Sequence, residues 1–248
     1  MAHTEGKGSQ IAKNGFRNEY FVIDTFNAWE NNSLAQEWLM AMDYQIDEIE
    51  YVKAEKIKGS YKADVQVHIT IKLKKLFDCQ NIQVKLVSNK KGFNQIDKRW
   101  LAKYQELWNI PQNIYQTLQY YVGELLPYHS NTRDKRRMFI SEMNIKQQQD
   151  LIKWLTQNKL LILNDVIKGR GKFSAEWVLV IRKTGSLDWV LKPVNIVLNF
   201  YAQGDIEISS RGSIHIGKIT MQRKGGDNGR KTANMLQFKC DPTELFLI

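Results

Sequence analysis

The chain has 248 residues, 36 basic against 26 acidic side chains and a net charge of +10, with 43% hydrophobic and 11% aromatic residues. That apolar content offsets the ordering cost of a core and excludes a disordered tail, while a mere two cysteines, Cys79 and Cys240, exclude a disulfide scaffold. The longest apolar runs, such as Trp177–Ile181, fall far short of the ~20 residues a membrane span needs.

Residues 1–10 read as a flexible polar leader without the apolar stretch of a secretory signal, which makes a reducing cytosol the expected compartment. From Lys13 to Trp29, apolar residues at Phe16, Tyr20, Ile23 and Phe26 have helical spacing, and a second helix over Leu34–Met42 is expected to start from Ser33 as its cap. The period then changes. Val65, Val67, Ile69 and Ile71 alternate with polar residues as in a half-buried strand, and after a polar turn at Lys72–Lys75 a second strand covers Ile82–Val87. Helical spacing returns between Gln95 and Tyr121 with a break at Pro111, and again over Lys146–Gln157. Leu160–Val166 and Glu176–Arg182 read as strands, Asn195–Tyr201 as a short helix. Short strands follow at Ile206–Ser209, Ser213–Ile216 and Lys218–Gln222. No repeat or long linker interrupts residues 11–248, so the expectation is a single α/β domain with a β-rich C-terminal part.

The basic excess is bunched. Lys85, Lys90, Lys91, Lys98 and Arg99 form one cluster, and Arg133, Lys135, Arg136 and Arg137 a second. Lys168, Arg170 and Lys172 alternate with Gly169 and Gly171, and Arg223, Lys224, Arg230 and Lys231 flank a glycine loop. One such run is ordinarily a solvated face. Four, three of them beside glycine or turn residues, fit loops that approach a phosphate backbone.

Metal-dependent phosphodiester cleavage needs a carboxylate, a second oxygen ligand and a cation near the attacking water. Asp64 and the pair Gln83 and Lys85 supply these types, and the last two share one face of a strand whose Val84 and Leu86 point inward. The midpoint of Asp64 and Gln83 falls inside the Lys72–Lys75 turn, so a hairpin there sets them opposite each other. By spacing alone, a polar strand face with a solvated lysine is the commoner origin of such a pattern.

The segment from Gln83 through Lys98 resembles the active-site and recognition segment of the HinPI type of GCGC-cutting type II restriction endonucleases, relatives of MspI among the PD-(D/E)XK nucleases. So do Pro127–Thr132, Asp134–Phe139, Ala175–Val180, Arg211–Ile214 and Gln222–Arg230 leading into Thr232–Phe238, in order, from about Gly15 onward. The resemblance implies a restriction-endonuclease-like core, a central mixed sheet flanked by helices. It implies Asp64, Gln83 and the Val84 carbonyl as Mg2+ ligands and Lys85 as the catalytic lysine. Ala63 replaces the wider family's proline, and the neutral Gln83 leaves the site one negative charge poorer. Glu19 on the first helix either restores that charge or is an exposed helix acid.

For base reading, the resemblance favours Gln95, expected to share a helix face with Lys98, and Arg211 at the tip of the Ser209-Ser210-Arg211-Gly212-Ser213 turn. Asn94, Arg99, Gln222, Arg223, Lys224, Asn228 and Arg230 are expected to touch DNA. Phe93, in a polar run, is either a core anchor or a wedge inserted between base pairs from the minor groove. The seven tryptophans read as core, the four histidines lack zinc spacing, and the Gly225–Gly229 loop lacks the ending of a nucleotide-binding loop. The implied function is Mg2+-dependent cutting of double-stranded DNA at GCGC after the first G, in a bacterial cytoplasm. A DNA methyltransferase would be a functional partner, no membrane is involved, and the protein is a monomer or weak homodimer. A structure-directed nuclease and a non-catalytic DNA-binding protein are the alternatives.

Overall fold

A computed structural model describes residues 18–59, 62–71, 76–88, 92–183, 187–226 and 230–248. Met1–Gly92, Lys168–Val197 and Pro242–Ile248 make one compact unit, and Phe93–Ile167 with Leu198–Asp241 a second.

The first unit is built on a mixed sheet in the order β1-β2-β3-β5-β6. Its strands are β1 (Ile49–Lys56), β2 (Val65–Ile71), β3 (Leu76–Val87), β5 (Trp177–Lys183) and β6 (Leu187–Pro193). The β3–β5 pair is parallel and the others are antiparallel. Val52, Ala54, Val65, Val67, Ile82, Val84, Leu179 and Leu191 send one side of the sheet into a core. That core is closed by Val22 and Phe26 of helix α1 (18–27) and by Trp38 and Leu39 of α2 (Ser33–Ala41). With period-2 alternation, Gln83 and Lys85 are thereby committed to the opposite side from Val84. The cap of α2 is Asn32, not Ser33: its side chain accepts from the N–H groups of Leu34 and Ala35 at 3.1 and 3.2 Å.

The second unit holds an antiparallel sheet in the order β4-β10-β9-β8-β7. These are β4 (Asn94–Arg99), β7 (Ile206–Ile208), β8 (Ile214–Ile216), β9 (Ile219–Arg223) and β10 (Leu236–Cys240). Helices α3 (Leu101–Trp108), α4 (Gln112–Val122) and α5 (Ile145–Gln157) complete it. Tyr104 stacks on Trp108 and meets Phe238 edge-on, with centroids 4.5 and 5.5 Å apart.

Two expected elements change type. Asn94–Arg99 is strand, not the start of a helix, because Ile96 and Asp97 find burial against β10. Leu160–Val166, expected as strand, forms helix α6 (Lys159–Leu163) followed by a π-turn, since a short apolar run carries no period of its own. Trp100 is 42% exposed and is therefore not a core residue. The N-terminal leader and the Lys72–Lys75 turn lie outside the described residues.

Candidate active site

The β2–β3 ladder runs from Ile71↔Leu76 to Val65↔Ile82, so one further rung sets Asp64 against Gln83, the register expected from the hairpin midpoint. The Asp64 N–H donates to the Ile82 carbonyl at 2.9 Å. The Val84 N–H in turn donates to Asp64 Oδ2 at 2.8 Å, which fixes the carboxylate at the peptide between Gln83 and Lys85. Burial pushes the Asp64 carboxyl pKa up; Lys85 and the Val84 N–H pull it down, Glu19 raises it, Lys62 lowers it, and the balance stays upward. Gln83 is 4% exposed, and among the described residues its amide makes no side-chain hydrogen bond. Lys85 is half-buried on the same side of β3.

Glu19, on α1, reaches this group through its field on Asp64 and is ion-paired with Lys56 at 2.6 Å, both side chains mostly buried. It is thus not an exposed helix acid. Lys56 went unnoticed in the sequence because β1 lacks a strong alternation. Its place is set by pairing with Val65, next to Asp64.

The donors here are oxygens: the Asp64 carboxylate, the Gln83 amide and the Val84 carbonyl. They suit a hard divalent cation and not zinc. Among the described residues no three His, Cys, Asp or Glu side chains gather to hold a metal, so a cation would rely on amide and peptide oxygens. A buried carboxylate with a raised pKa, next in register to the mostly buried Gln83, is the kind of oxygen such an ion would take up.

The family model described as R.HinP1I restriction endonuclease matches residues 42–246. The chain belongs to this restriction endonuclease family. It is a type II site-specific deoxyribonuclease with a mixed α/β fold. The solved structure of restriction endonuclease MspI in complex with its cognate DNA is similar over 90% of this chain and 87% of that one, with a TM-score of 0.63 at 15% identity. No curated protein matches by sequence, and no described helix is long and apolar enough to cross a membrane.

In this restriction endonuclease the expected DNA-contact residues fall mostly in the second unit. Register slips by one residue in β4: Asp97 pairs with Phe238 and Gln95 with Lys239. Lys98 pairs with Gln237, so Gln95 and Lys98 share a face after all, through a bulged strand in place of a helix. Gln222, opposite Gln237 on β9, joins that face. Arg99 turns away from it: its guanidinium donates to Asp165 at 2.8 Å and lies 3.4 Å from Asp97, whose carboxylate also accepts from Tyr104. Arg223 donates to the Val122 carbonyl and the Asn234 side chain at 2.8 and 2.7 Å.

The Ser209–Ser213 turn forms as expected, with the Gly212 N–H donating to the Ser209 carbonyl and the Ser213 N–H to Ser209 Oγ. Gly212 has φ +83°, and a Cβ there would meet the Phe139 ring at 2.0 Å, so the turn admits only glycine. Ser210 and Arg211 are exposed at its tip. Phe93 is 65% exposed, which removes the core-anchor alternative. Asn94 and Lys224 are half-buried and Arg230 exposed; Lys90, Lys91 and Asn228 lie outside the described residues.

The three arginines of the second basic cluster make contacts within the protein. Glu142 accepts from the Arg133 backbone and side chain, Asp134 pairs with Arg136, and Arg137 lies over the Phe139 ring. His129 bonds the Glu142 carbonyl at 3.1 Å, a loop contact.

Proposed function

We propose that this endonuclease hydrolyses double-stranded DNA with Mg2+ held by Asp64, Gln83 and the Val84 carbonyl, in the manner of PD-(D/E)XK enzymes. One observation supports the reading: the Val84 N–H bond to Asp64, which holds the carboxylate at the peptide of β3 flanked by Gln83 and Lys85. A bound Mg2+ supplies polarisation of the phosphoryl oxygen and a water of lowered pKa. Lys85 would orient the attacking water and offset the charge that grows on the phosphate. The Val84 N–H keeps Asp64 in one rotamer, and Lys56 keeps Glu19 beside it. The single carboxylate among the three donors argues for weaker cation binding than a two-carboxylate site would have.

The target is GCGC, cut after the first G to leave two-nucleotide 5′ overhangs, as the likeness of the Gln95–Lys98 and Ser209–Ser213 segments suggests. Arg211, Gln95, Lys98 and Gln222 are the side chains assigned to base edges, with the phosphate contacts spread over Lys90, Lys91, Asn94, Lys224, Asn228 and Arg230. A methyltransferase of the same specificity would protect host DNA. The test is digestion of a plasmid of known sequence in Mg2+ and in EDTA, followed by sequencing of fragment ends. Discrete fragments ending at GCGC in Mg2+ alone are expected. Cutting of branched duplexes without sequence preference, or binding without cutting, would replace this reading.

A further inference from the structure

Asn81 lies two residues before Gln83 on β3, on the same side of the strand, and is 6% exposed. Four hydrogen bonds converge on it. Its side-chain oxygen accepts from Gln66 on β2 at 2.9 Å and its side-chain nitrogen donates to the Lys172 carbonyl at 3.1 Å. Its N–H donates to the Glu176 carboxylate, and its carbonyl accepts from the Glu176 N–H, each at 2.8 Å.

The segment so held, residues 168–176, is a fixed turn. The Ala175 N–H donates to the Lys168 carbonyl at 2.8 Å and the Ser174 N–H to the Gly171 carbonyl at 3.0 Å. It is anchored to the residue before Asp64, since the Ala63 N–H donates to the Phe173 carbonyl at 3.4 Å and Phe173 packs on Ile57, Ala63 and Ala175. Gly169 and Gly171 have φ of +80° and +74°, and a Cβ on Gly169 would sit 2.4 Å from Lys62 Cγ. Both the left-handed backbone and the close approach therefore require glycine. This turn carries Lys168, Arg170 and Lys172, with Arg170 and Lys172 exposed, and packs against Lys62.

We propose that the Lys168–Lys172 turn is a phosphate clamp that grips the DNA backbone beside the bond to be cut, and that Asn81 is the positioning residue that sets it against Asp64 and Gln83. The inference rests on the hydrolase reading above. Cations alternating with glycines let backbone and side chains close on one phosphodiester, and two anchors, at Ala63 and Asn81, tie the turn to residues flanking the proposed metal ligands. A duplex whose scissile phosphate sits at Asp64 necessarily presents its neighbouring phosphates to whatever lies alongside.

The test measures duplex binding in EDTA over a range of salt concentrations for wild type, Arg170→Ala/Lys172→Ala and Asn81→Ala, with thermal midpoints as the folding control. Each lost phosphate contact flattens the log Kd against log salt slope by about one unit. The double variant is expected to lose about two units on duplexes of any sequence. Asn81→Ala, which removes no charge, is expected to lose at least about one, a change that simple destabilisation does not produce. An unchanged slope in the double variant overturns the clamp. A flattened slope there with an unchanged one in Asn81→Ala overturns the role of Asn81. If wild type cuts no DNA yet the slopes shift as expected, the hydrolase reading fails and the clamp stands as a binding device; if wild type binds no duplex, both fail.

Discussion

The N–H of Val84 donates to Asp64 Oδ2 at 2.8 Å, so the residue between Gln83 and Lys85 holds the carboxylate in place. That bond ties Asp64 of one strand to the peptide flanked by Gln83 and Lys85, which a strand's alternation alone does not do, and it is the geometric basis of the site proposed above.

Asp64 carries a stability cost when no cation is present. Folding raises its carboxyl pKa, so its contribution favours the native state below the ordinary carboxylate range and is lost as pH rises through the folded value. Asp64→Asn is therefore expected to melt a few degrees above wild type at neutral pH without divalent metal, with the gap closing as pH falls. Addition of Mg2+ or Ca2+ should raise the melting temperature of wild type and leave the variant unmoved. Differential scanning fluorimetry across pH and metal concentration checks both.

Gln83 is the one uncharged side chain among the proposed ligands. Gln83→Glu is expected to bind divalent cations roughly tenfold more tightly at alkaline pH, since ligand charge count governs affinity for hard cations. Below neutrality the gain should shrink, because a second carboxylate raises the proton affinity of the pair. Isothermal titration with Mn2+ or Ca2+ measures the difference.

Phe93 has no core to support, being 65% exposed. Phe93→Ala should leave the melting temperature unchanged while reducing the bend that the protein imposes on its target, read by energy transfer between dyes at the duplex ends. An unchanged bend and cleavage rate would remove the wedge.

Arg99 and Lys98, neighbours in sequence, should behave oppositely. Arg99→Ala leaves Asp165, whose side chain is 2% exposed, without its guanidinium partner and should cost on the order of 3 kcal/mol of stability. Lys98→Ala should stay within about 0.5 kcal/mol of wild type in stability and weaken binding of cognate DNA. Chemical denaturation and duplex titration on both variants separate the roles.

How far the sequence could be read depended on whether a residue's environment was local. The Asp64–Gln83 register followed from a turn midpoint, and β2 from clean alternation, because a hairpin is specified by its own residues. β1 escaped notice: only Val52 and Ala54 mark its inner side past a bulge near Ile49, and its partner lies in β2. Asn94–Arg99 read as helix because Ile96, Trp100 and Leu101 have helical spacing, whereas the strand depends on β10, far along the chain, which supplies the ladder. The same distance hid Lys56 beside Glu19 and Asn81 at its junction, since polar contacts between elements leave no periodic trace. Arg99 looked like its basic neighbours, and nothing in the sequence signalled the aspartates that claim it.

The most direct test of the site is single-turnover cleavage of a GCGC duplex by wild type and Lys85→Ala, each saturating the DNA in Mg2+. The expected result is equal affinity for the duplex in Ca2+ and a cleavage rate at least about a hundredfold lower in the variant. A variant that cuts at the wild-type rate would remove Lys85 from the chemistry and contradict the grouping of Asp64, Gln83 and Lys85 as an active site.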